Sequence, residues 1–129
     1  MAQVKVYGLR VHLDPIKQQL SDVIHGCVVE ALGLPPDKRA HRFFPLDRED
    51  FFMPAGRSDA YLILELMMIA GRSVATQKRL IRLLFDRISA AFGISLVDLE
   101  ICISESPPHA WGFRGMHGDE IQLGYRVDV

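Results

Sequence analysis

An internal repeat constrains this chain more than any other feature of its sequence. The apolar positions of one segment recur sixty residues later, at steps of three and four, and both segments end in a glycine. Such steps predict an amphipathic helix in each copy, and glycine is typical just beyond the end of a helix. The matched positions are Leu20 and Leu80, Val23 and Leu83, Ile24 and Leu84, Val28 and Ile88, Ala31 and Ala91, Gly33 and Gly93, and Leu34 and Ile94.

The first copy predicts a strand, a helix and a second strand. Alternating polar and apolar residues indicate a strand over about 4–7. Asp14 is a suitable N-cap and Pro15 suits the first helical position, so we expect the helix to begin there. A short strand is expected over 41–44, because Pro45 cannot donate to a strand ladder.

The second copy predicts the same order. The segment 61–69 is apolar at nearly every position, which is typical of a strand buried on both faces. Ser73 is a candidate N-cap for the helix that follows, Gly93 is expected to end that helix, and 99–104 is expected to form the last strand.

Two units of this kind predict an α/β fold, an α+β two-layer sandwich with the helices on one face of a sheet and parallel strands within each unit. The 129 residues suit a single domain, 1–129. We expect the two β-α-β units at about 2–45 and 61–105, followed by a C-terminal loop.

Charge and composition exclude several classes of partner. Fifteen Lys and Arg against sixteen Asp and Glu leave a net charge of −1, so neither nucleic acid nor a membrane is an expected partner. The apolar segment 61–70 carries Glu65 and is too short to span a bilayer. Cys27 and Cys102 each lie in an apolar stretch, and we expect both to be buried free thiols of a cytoplasmic protein.

One tetrapeptide, Ala-Gly-Arg-Ser at 70–73, has the residue types of a site that binds a carboxylate. Gly71 and Arg72 lie where an apolar strand meets the start of a helix. The first turn of a helix attracts negative charge, and a guanidinium matches the geometry of a carboxylate. The alternative is that Arg72 is a surface residue paired with a nearby acid. The same tetrapeptide occurs at 55–58, where it precedes a strand, so Arg57 is expected to be structural.

Other chemistry-bearing residues give weaker signals. The histidines never fall at metal-ligand spacing with each other or with a cysteine, so no metal site is expected. Four phenylalanines close together are expected to pack at a subunit interface or a pocket rim, with an ordinary core position as the alternative. The histidines are His12, His25, His41, His109 and His117, and the phenylalanines are Phe43, Phe44, Phe51 and Phe52.

Three segments carry a resemblance to a known group. They are 69–73 with the Gly-Arg-Ser turn, 77–93 with Gln-Lys and a closing Phe-Gly, and 111–115, which reads Trp-Gly-Phe-Arg-Gly. Together they resemble the tautomerase superfamily, whose simplest member is 4-oxalocrotonate tautomerase. The doubled unit at this length is most similar to the malonate semialdehyde decarboxylase branch. The resemblance covers nearly the whole chain.

The resemblance implies a tautomerase/MIF-like fold, a homotrimer, no cofactor and a pocket for a small carboxylate substrate. In the family, an amino-terminal proline acts as base or acid beside arginines and apolar side chains. Here Ala2 stands at the position of that proline, and His12 stands at the position of the arginine of the first unit. Arg72 keeps the arginine of the second unit, and Asp37 lies one position before the aspartate of the decarboxylase branch.

These correspondences give two hypotheses for function. In the first, the chain is a tautomerase or decarboxylase in which Ala2, Arg72 and Asp37 are catalytic. His12, Trp111, Phe113 and Arg114 would then contact the substrate beside Arg72, although the aromatic pair has the alternative of simply covering the end of the sheet. In the second, the chain binds small carboxylates without turnover, because Ala2 replaces the catalytic proline. Since the choice depends on one residue, the sequence leaves open whether the chain is an enzyme.

Overall fold

The computed structural model describes residues 2–129 and shows a mixed α+β fold with four strands in its main sheet. The strands are β1 (Ala2–Leu9), β2 (His41–Leu46), β3 (Leu62–Ile69) and β4 (Leu99–Ser106), in the spatial order β2-β1-β3-β4. The helices are α1 (Arg10–Leu13), α2 (Lys17–Leu32) and α3 (Val74–Phe92). A two-stranded hairpin, β5 (Gly112–Phe113) and β6 (Met116–His117), lies near the carboxyl end.

Strand directions follow the repeat. β1 pairs in parallel with β2, and β3 pairs in parallel with β4, so each parallel pair is joined by a helical crossover. The two pairs meet in the middle of the sheet, where β1 and β3 run antiparallel with Ala2 opposite Met68 and Gly8 opposite Leu62. The beginning of β1 and the end of β3 therefore lie at the same end of the sheet.

Both long helices cover one face of the sheet and enclose the core. α2 packs beside α3, and the apolar positions of the repeat are buried or pack against the core, except Ala91, which is exposed. The fully buried side chains of this core include Leu20, Ile24, Leu64, Leu66, Met68, Leu80, Leu84 and Ile88. No helix within residues 2–129 combines the length and the apolar character that crossing a bilayer requires.

The start of the first long helix differs from the prediction. The chain makes the short helix α1 before α2, and Asp14 ends α1 instead of capping α2, which begins at Lys17. Leu13 is fully buried and packs beside Gly8. A Cβ on Gly8 would lie 2.6 Å from Cδ2 of Leu62, so the glycine creates the space in which the chain can turn immediately after β1.

The ends of both long helices agree with the prediction. The backbone of Gly33 and of Gly93 is left-handed, with φ of 68° and 65°, and each amide donates to a carbonyl four residues back. At the start of α3, the Ser73 hydroxyl accepts from the Thr76 amide at 3.1 Å. The sequence predicted these three capping residues because each one meets a specific backbone or side-chain requirement of a helix end.

The other face of the sheet has no helix over it within residues 2–129, and only its end at Leu9 and Tyr61 is covered, by the loop that carries Phe51. β3 alternates between buried and more exposed residues, so the prediction that it is buried on both faces was wrong. Its residues Glu65 and Met67 lie on this open face and are exposed. The same arrangement corrects the prediction for Cys102, which lies on the open face of the edge strand β4, whereas Cys27 is fully buried.

The four clustered phenylalanines have different environments. Phe43 packs against the main core, and Phe44 stacks on Tyr7 of the open face with ring centroids 4.8 Å apart. Phe51 is buried in a small second cluster, whereas Phe52 is 91% exposed. They do not form a single cluster, because β2 ends after the first pair and the chain turns away.

Candidate active site

Arg72 lies where β3 passes into α3, and its side chain is buried. Only 5% of the residue is exposed, so the alternative that it is an ordinary surface arginine was wrong. Nη1 donates to the carbonyl oxygen of Ile69 at 2.9 Å, which fixes the orientation of the guanidinium. Nε and Nη2 are buried and have no hydrogen-bond partner within residues 2–129. These two atoms form one edge of the guanidinium, the edge that takes both oxygens of a carboxylate.

The electrostatic environment of Arg72 favours an anion. Burial lowers the pKa of the guanidinium, and the interactions with Tyr125 and Glu105 oppose that shift only in part. A buried cation with incomplete compensation gains stability when a carboxylate pairs with it. Gln77 reinforces the arrangement, because its amide donates to the Arg72 carbonyl at 3.4 Å and to the Glu105 carboxylate at 3.1 Å.

Ala2 lies at the same end of the sheet as Arg72. It is the first residue of β1, it is 6% exposed, and it pairs with Met68, which precedes Arg72 by four residues. The antiparallel β1–β3 pairing therefore brings two residues that are seventy positions apart in the sequence to one corner of the molecule.

Asp37 lies at this end of the sheet too, on the other side of β1. It occupies an exposed turn between α2 and β2. β2 starts beside the start of β1, where the Val4 amide donates to the Ala40 carbonyl at 2.9 Å. Arg72 follows β3, so β1 separates Asp37 from Arg72 within the chain.

His12 lies at the opposite end of the sheet. It follows β1, whose eight residues span about 23 Å from first to last Cα. Its exposed side chain lines a different cavity of about 260 Å³ together with Ile16, Ala60 and Leu62. A single chain therefore does not bring His12 to Arg72, although the repeat gives them corresponding positions.

The aromatic pair of the C-terminal loop belongs to the β5–β6 hairpin. The rings of Trp111 and Phe113 are half-buried and meet edge to face, with centroids 6.4 Å apart. At the tip, Arg114 and Gly115 have φ of 56° and 72°, which is typical of a type I′ turn. The Arg114 guanidinium lies 5.7 Å from the centre of the Phe113 ring. Burial raises the pKa of the Tyr125 phenol, and the charges of Arg72 and Arg114 both act to lower it.

Sequence analysis missed the C-terminal tail, residues 121–129, at this site. The tail covers the turn that carries Arg72: the Ser73 amide donates to the Val129 carbonyl at 2.9 Å, and Val127 fills the space beside Gly71. A signal was present, because Ile121, Leu123, Tyr125 and Val127 alternate with polar residues or glycine. That alternation is typical of an extended segment with one face against the protein.

Comparison with known proteins assigns the family. A family model described as a tautomerase enzyme matches residues 38–114, which is more than half of the chain. The chain belongs to the tautomerase enzyme family. The match includes the second β-α-β unit, Arg72 and the Trp-Gly-Phe-Arg sequence of the hairpin.

Solved structures share the fold of this chain. The structure of a fused 4-OT, described as an asymmetric trimer, superposes with a TM-score of 0.81 at 23% identity and covers 92% of this chain and 97% of its own. A malonate semialdehyde decarboxylase, studied as wild type, as a proline-to-alanine variant and in inactivated form, gives 0.78 at 24% identity, with 88% and 92% coverage. A second such decarboxylase, inhibited by 3-bromopropiolate, gives 0.77 at 25% identity, with 86% and 88% coverage. The α+β tautomerase fold expected from the sequence is thus confirmed.

Proposed function

We propose that this protein binds a small carboxylate with an α or β carbonyl and moves a proton on it, as a tautomerase or a decarboxylase. The observation that carries the proposal is the buried edge of Arg72, with two N–H groups awaiting an acceptor, at the same corner of the sheet as Ala2. Arg72 would hold the carboxylate and leave the carbonyl end of the substrate toward the start of β1.

The proton would move through the amine of Ala2 after removal of Met1. A terminal amine has a pKa of about 7.7 to 8.0 in water, and apolar surroundings beside a cation lower that value toward neutrality. Such an amine can take a proton from the carbon next to the carbonyl and return it elsewhere, with the Arg72 guanidinium balancing the charge of the enolate. Asp37 is the proposed auxiliary acid or base, and Trp111, Phe113 and Arg114 would enclose the substrate. The role proposed for His12 requires a neighbouring subunit, because His12 and Arg72 lie at opposite ends of the sheet within one chain.

A homotrimer in the cytoplasm is part of the proposal. The open face of the sheet presents Tyr7, Phe44, Ile63 and Met67, which are half-buried or exposed and would be covered by copies of the chain. The fused 4-OT structures that share this fold are described as trimers.

The second candidate function is binding without turnover. It is favoured by one observation, that Ala2 stands where the family has proline. Such a protein would keep the carboxylate site at Arg72 but lack the secondary amine.

Ketonisation of the enol form of phenylpyruvate and of 2-hydroxymuconate by three forms of the protein tests both candidates. We expect slow ketonisation by the parent, faster ketonisation by Ala2→Pro, and a loss of about 10- to 100-fold for Arg72→Ala, because a charge-assisted bidentate pair is removed. Intact mass must show that Met1 is absent from the active forms. Turnover by protein that retains Met1 would contradict the amine mechanism, whereas ligand binding without turnover in all forms would support the second candidate.

A further inference from the structure

The sixty-residue repeat gives the molecule two corresponding corners. The first, the Arg72 corner, consists of Arg72 after β3 and Ala2 at the start of β1. The matching positions sixty residues away are His12, which follows β1, and Leu62, which begins β3. Because β1 and β3 are antiparallel, these two residues lie at the opposite end of the sheet and form the His12 corner. The proposed function leaves the His12 corner without a ligand of its own.

The His12 corner contains a cavity of about 260 Å³. Its wall is apolar apart from the His12 imidazole, and two of its side chains, Leu62 and Ile94, are buried. Small-molecule sites have mostly apolar walls with a few polar groups and measure roughly 300 to 1,000 Å³, so this cavity suits a ligand of about one ring. The apolar side chains of the wall are those of Ile16, Ala60, Leu62, Phe92 and Ile94.

The charged groups next to this wall are already paired. Asp59 and Lys17 each adjoin a wall residue in the sequence. Asp59 accepts two hydrogen bonds from the Arg48 guanidinium, at 2.9 and 2.8 Å, and Lys17 donates to the Asp14 carboxylate at 3.1 Å. Within residues 2–129, none of the buried side-chain atoms that lack a hydrogen-bond partner belongs to the wall. The cavity therefore presents no unpaired guanidinium or carboxylate to a ligand.

The two corners suit different ligands for this reason. At the Arg72 corner, Nε and Nη2 of Arg72 are buried without a partner, and a carboxylate would satisfy both. At the His12 corner, a carboxylate would exchange water for apolar walls with no guanidinium to pair with, which costs free energy. The imidazole of His12 carries a proton on at least one ring nitrogen and can donate a hydrogen bond. An apolar body with one acceptor oxygen fits these walls.

We propose that the cavity at the His12 corner binds an uncharged, largely apolar molecule of about one ring, with the His12 imidazole donating a hydrogen bond to its single acceptor oxygen. Binding is reversible and forms no covalent bond. The site goes beyond the proposed function and is independent of it, because the cavity and the Arg72 corner lie at opposite ends of the sheet.

Three probes of similar size test this site on the full chain. Acetophenone has a ring and one ketone oxygen, toluene lacks the oxygen, and benzoate carries a charge in its place. We would titrate each probe and follow the methyl NMR signals of Ile16, Leu62 and Ile94. Acetophenone should shift these signals and bind more tightly than toluene, by about 3- to 10-fold, the effect of one hydrogen bond. Benzoate should bind at this cavity at least about 10-fold more weakly than acetophenone, because its charge would lie unpaired against apolar walls.

Variants locate the probe and its hydrogen bond. Ala60→Leu adds bulk to the wall and should weaken acetophenone by about 10-fold or more, whereas Ala55→Leu, in the same loop but outside the wall, should bind like the parent. His12→Ala should weaken acetophenone by about 3- to 10-fold and leave toluene unchanged. Arg72→Ala should bind acetophenone like the parent.

Each contrary outcome is distinct from a failure of the proposed function. Acetophenone that shifts Ile69, three residues before Arg72, instead of the wall methyls, or that no longer binds to Arg72→Ala, would overturn the His12 site and leave the carboxylate site intact. No shift in the parent, or equal weakening of acetophenone and toluene by His12→Ala, would also overturn it. Acetophenone bound at the wall of a protein that binds no carboxylate at Arg72 would instead overturn the proposed function alone.

Discussion

At the scale of single residues, burial decides which polar groups matter. Arg72 and Arg57 occur in the same tetrapeptide, yet Arg72 is buried with Nε and Nη2 lacking a hydrogen-bond partner among residues 2–129, and Arg57 pairs with Glu100 at 3.1 Å. Their difference follows from position, since one tetrapeptide ends a central strand and the other lies in a loop. The sequence expectation that Arg57 is structural is confirmed, because it meets Glu100 and also lies over the ring of Tyr61.

A half-buried histidine, His41, predicts how stability depends on pH. His41 bonds to the Ser21 hydroxyl at 2.8 Å, and burial, with the charges of Arg39 and His25, lowers its pKa from 6.5 to about 4. Between these values the unfolded chain binds more protons than the folded chain, so the stabilisation present above pH 6.5 is lost as pH falls toward 4.

We expect the free energy of unfolding of the parent to fall by about 2 to 3 kcal/mol over that pH window through His41 alone. His41→Gln should flatten the decline, as measured by urea unfolding at several pH values and one protein concentration. A variant whose stability falls as steeply as that of the parent would show that His41 is not the titrating group.

At the scale of elements, caps and turns place the site. The start of α3 combines the Ser73 cap with the Gly71 turn, and both were visible in the sequence because few residue types meet those backbone requirements. The tail that lies over them was not, since nothing local specifies which surface an extended segment will cover.

The Ser73 cap has a measurable contribution. Ser73→Ala removes the acceptor for the Thr76 amide and should lower the free energy of unfolding by about 1 kcal/mol. Ser89→Ala, a change of the same residue type inside α3, is the control and should change stability by no more than about 0.5 kcal/mol. Equal effects of the two changes, measured by urea unfolding, would argue against a capping role.

The contact between Gly71 and Val127 gives a second prediction at this scale. Gly71→Ala places a Cβ in the space of Val127 at a φ of 142°, so the tail should be displaced at a cost of about 1 to 3 kcal/mol. Hydrogen exchange at the Ser73 amide should become faster, because that amide donates to Val129. Val127→Ala alone keeps the glycine and should show a smaller change. Full protection of the Ser73 amide in Gly71→Ala would contradict this account of the tail.

At the scale of the whole molecule, the sheet face without helices is the surface that a homotrimer would cover. Met67 is 40% exposed on that face, opposite Gln3 and Ser104 of the neighbouring strands. A sheet with one solvated face normally carries polar residues on that side, and here the exposed side carries apolar and aromatic groups such as Met67 and Phe44 beside charged ones such as Lys5 and Glu65.

Charge introduced on that face should prevent assembly. Met67→Lys is expected to convert a trimer to monomers in light scattering and to leave the helical circular dichroism unchanged, because its side chain does not enter the core. Gln19→Lys on the exposed surface of α2 is the control and should remain trimeric. A parent protein that is monomeric at all concentrations would contradict the proposed homotrimer.

The sequence by itself determined the repeat, the types of the main strands and helices, and the caps at Gly33, Ser73 and Gly93, because these depend on periodicity and on residues with strict local requirements. It also singled out Arg72, and its likeness to the tautomerase superfamily is confirmed by the family match. The division into one domain with units at about 2–45 and 61–105 stays a prediction. Only the tertiary structure decided that Ala2 and Arg72 lie at one end of the sheet and His12 at the other, since the antiparallel pairing of β1 with β3 places the start of one strand beside the end of the other. The tertiary structure alone also revealed the C-terminal tail over the turn that carries Arg72, because such a contact depends on packing between segments far apart in the chain.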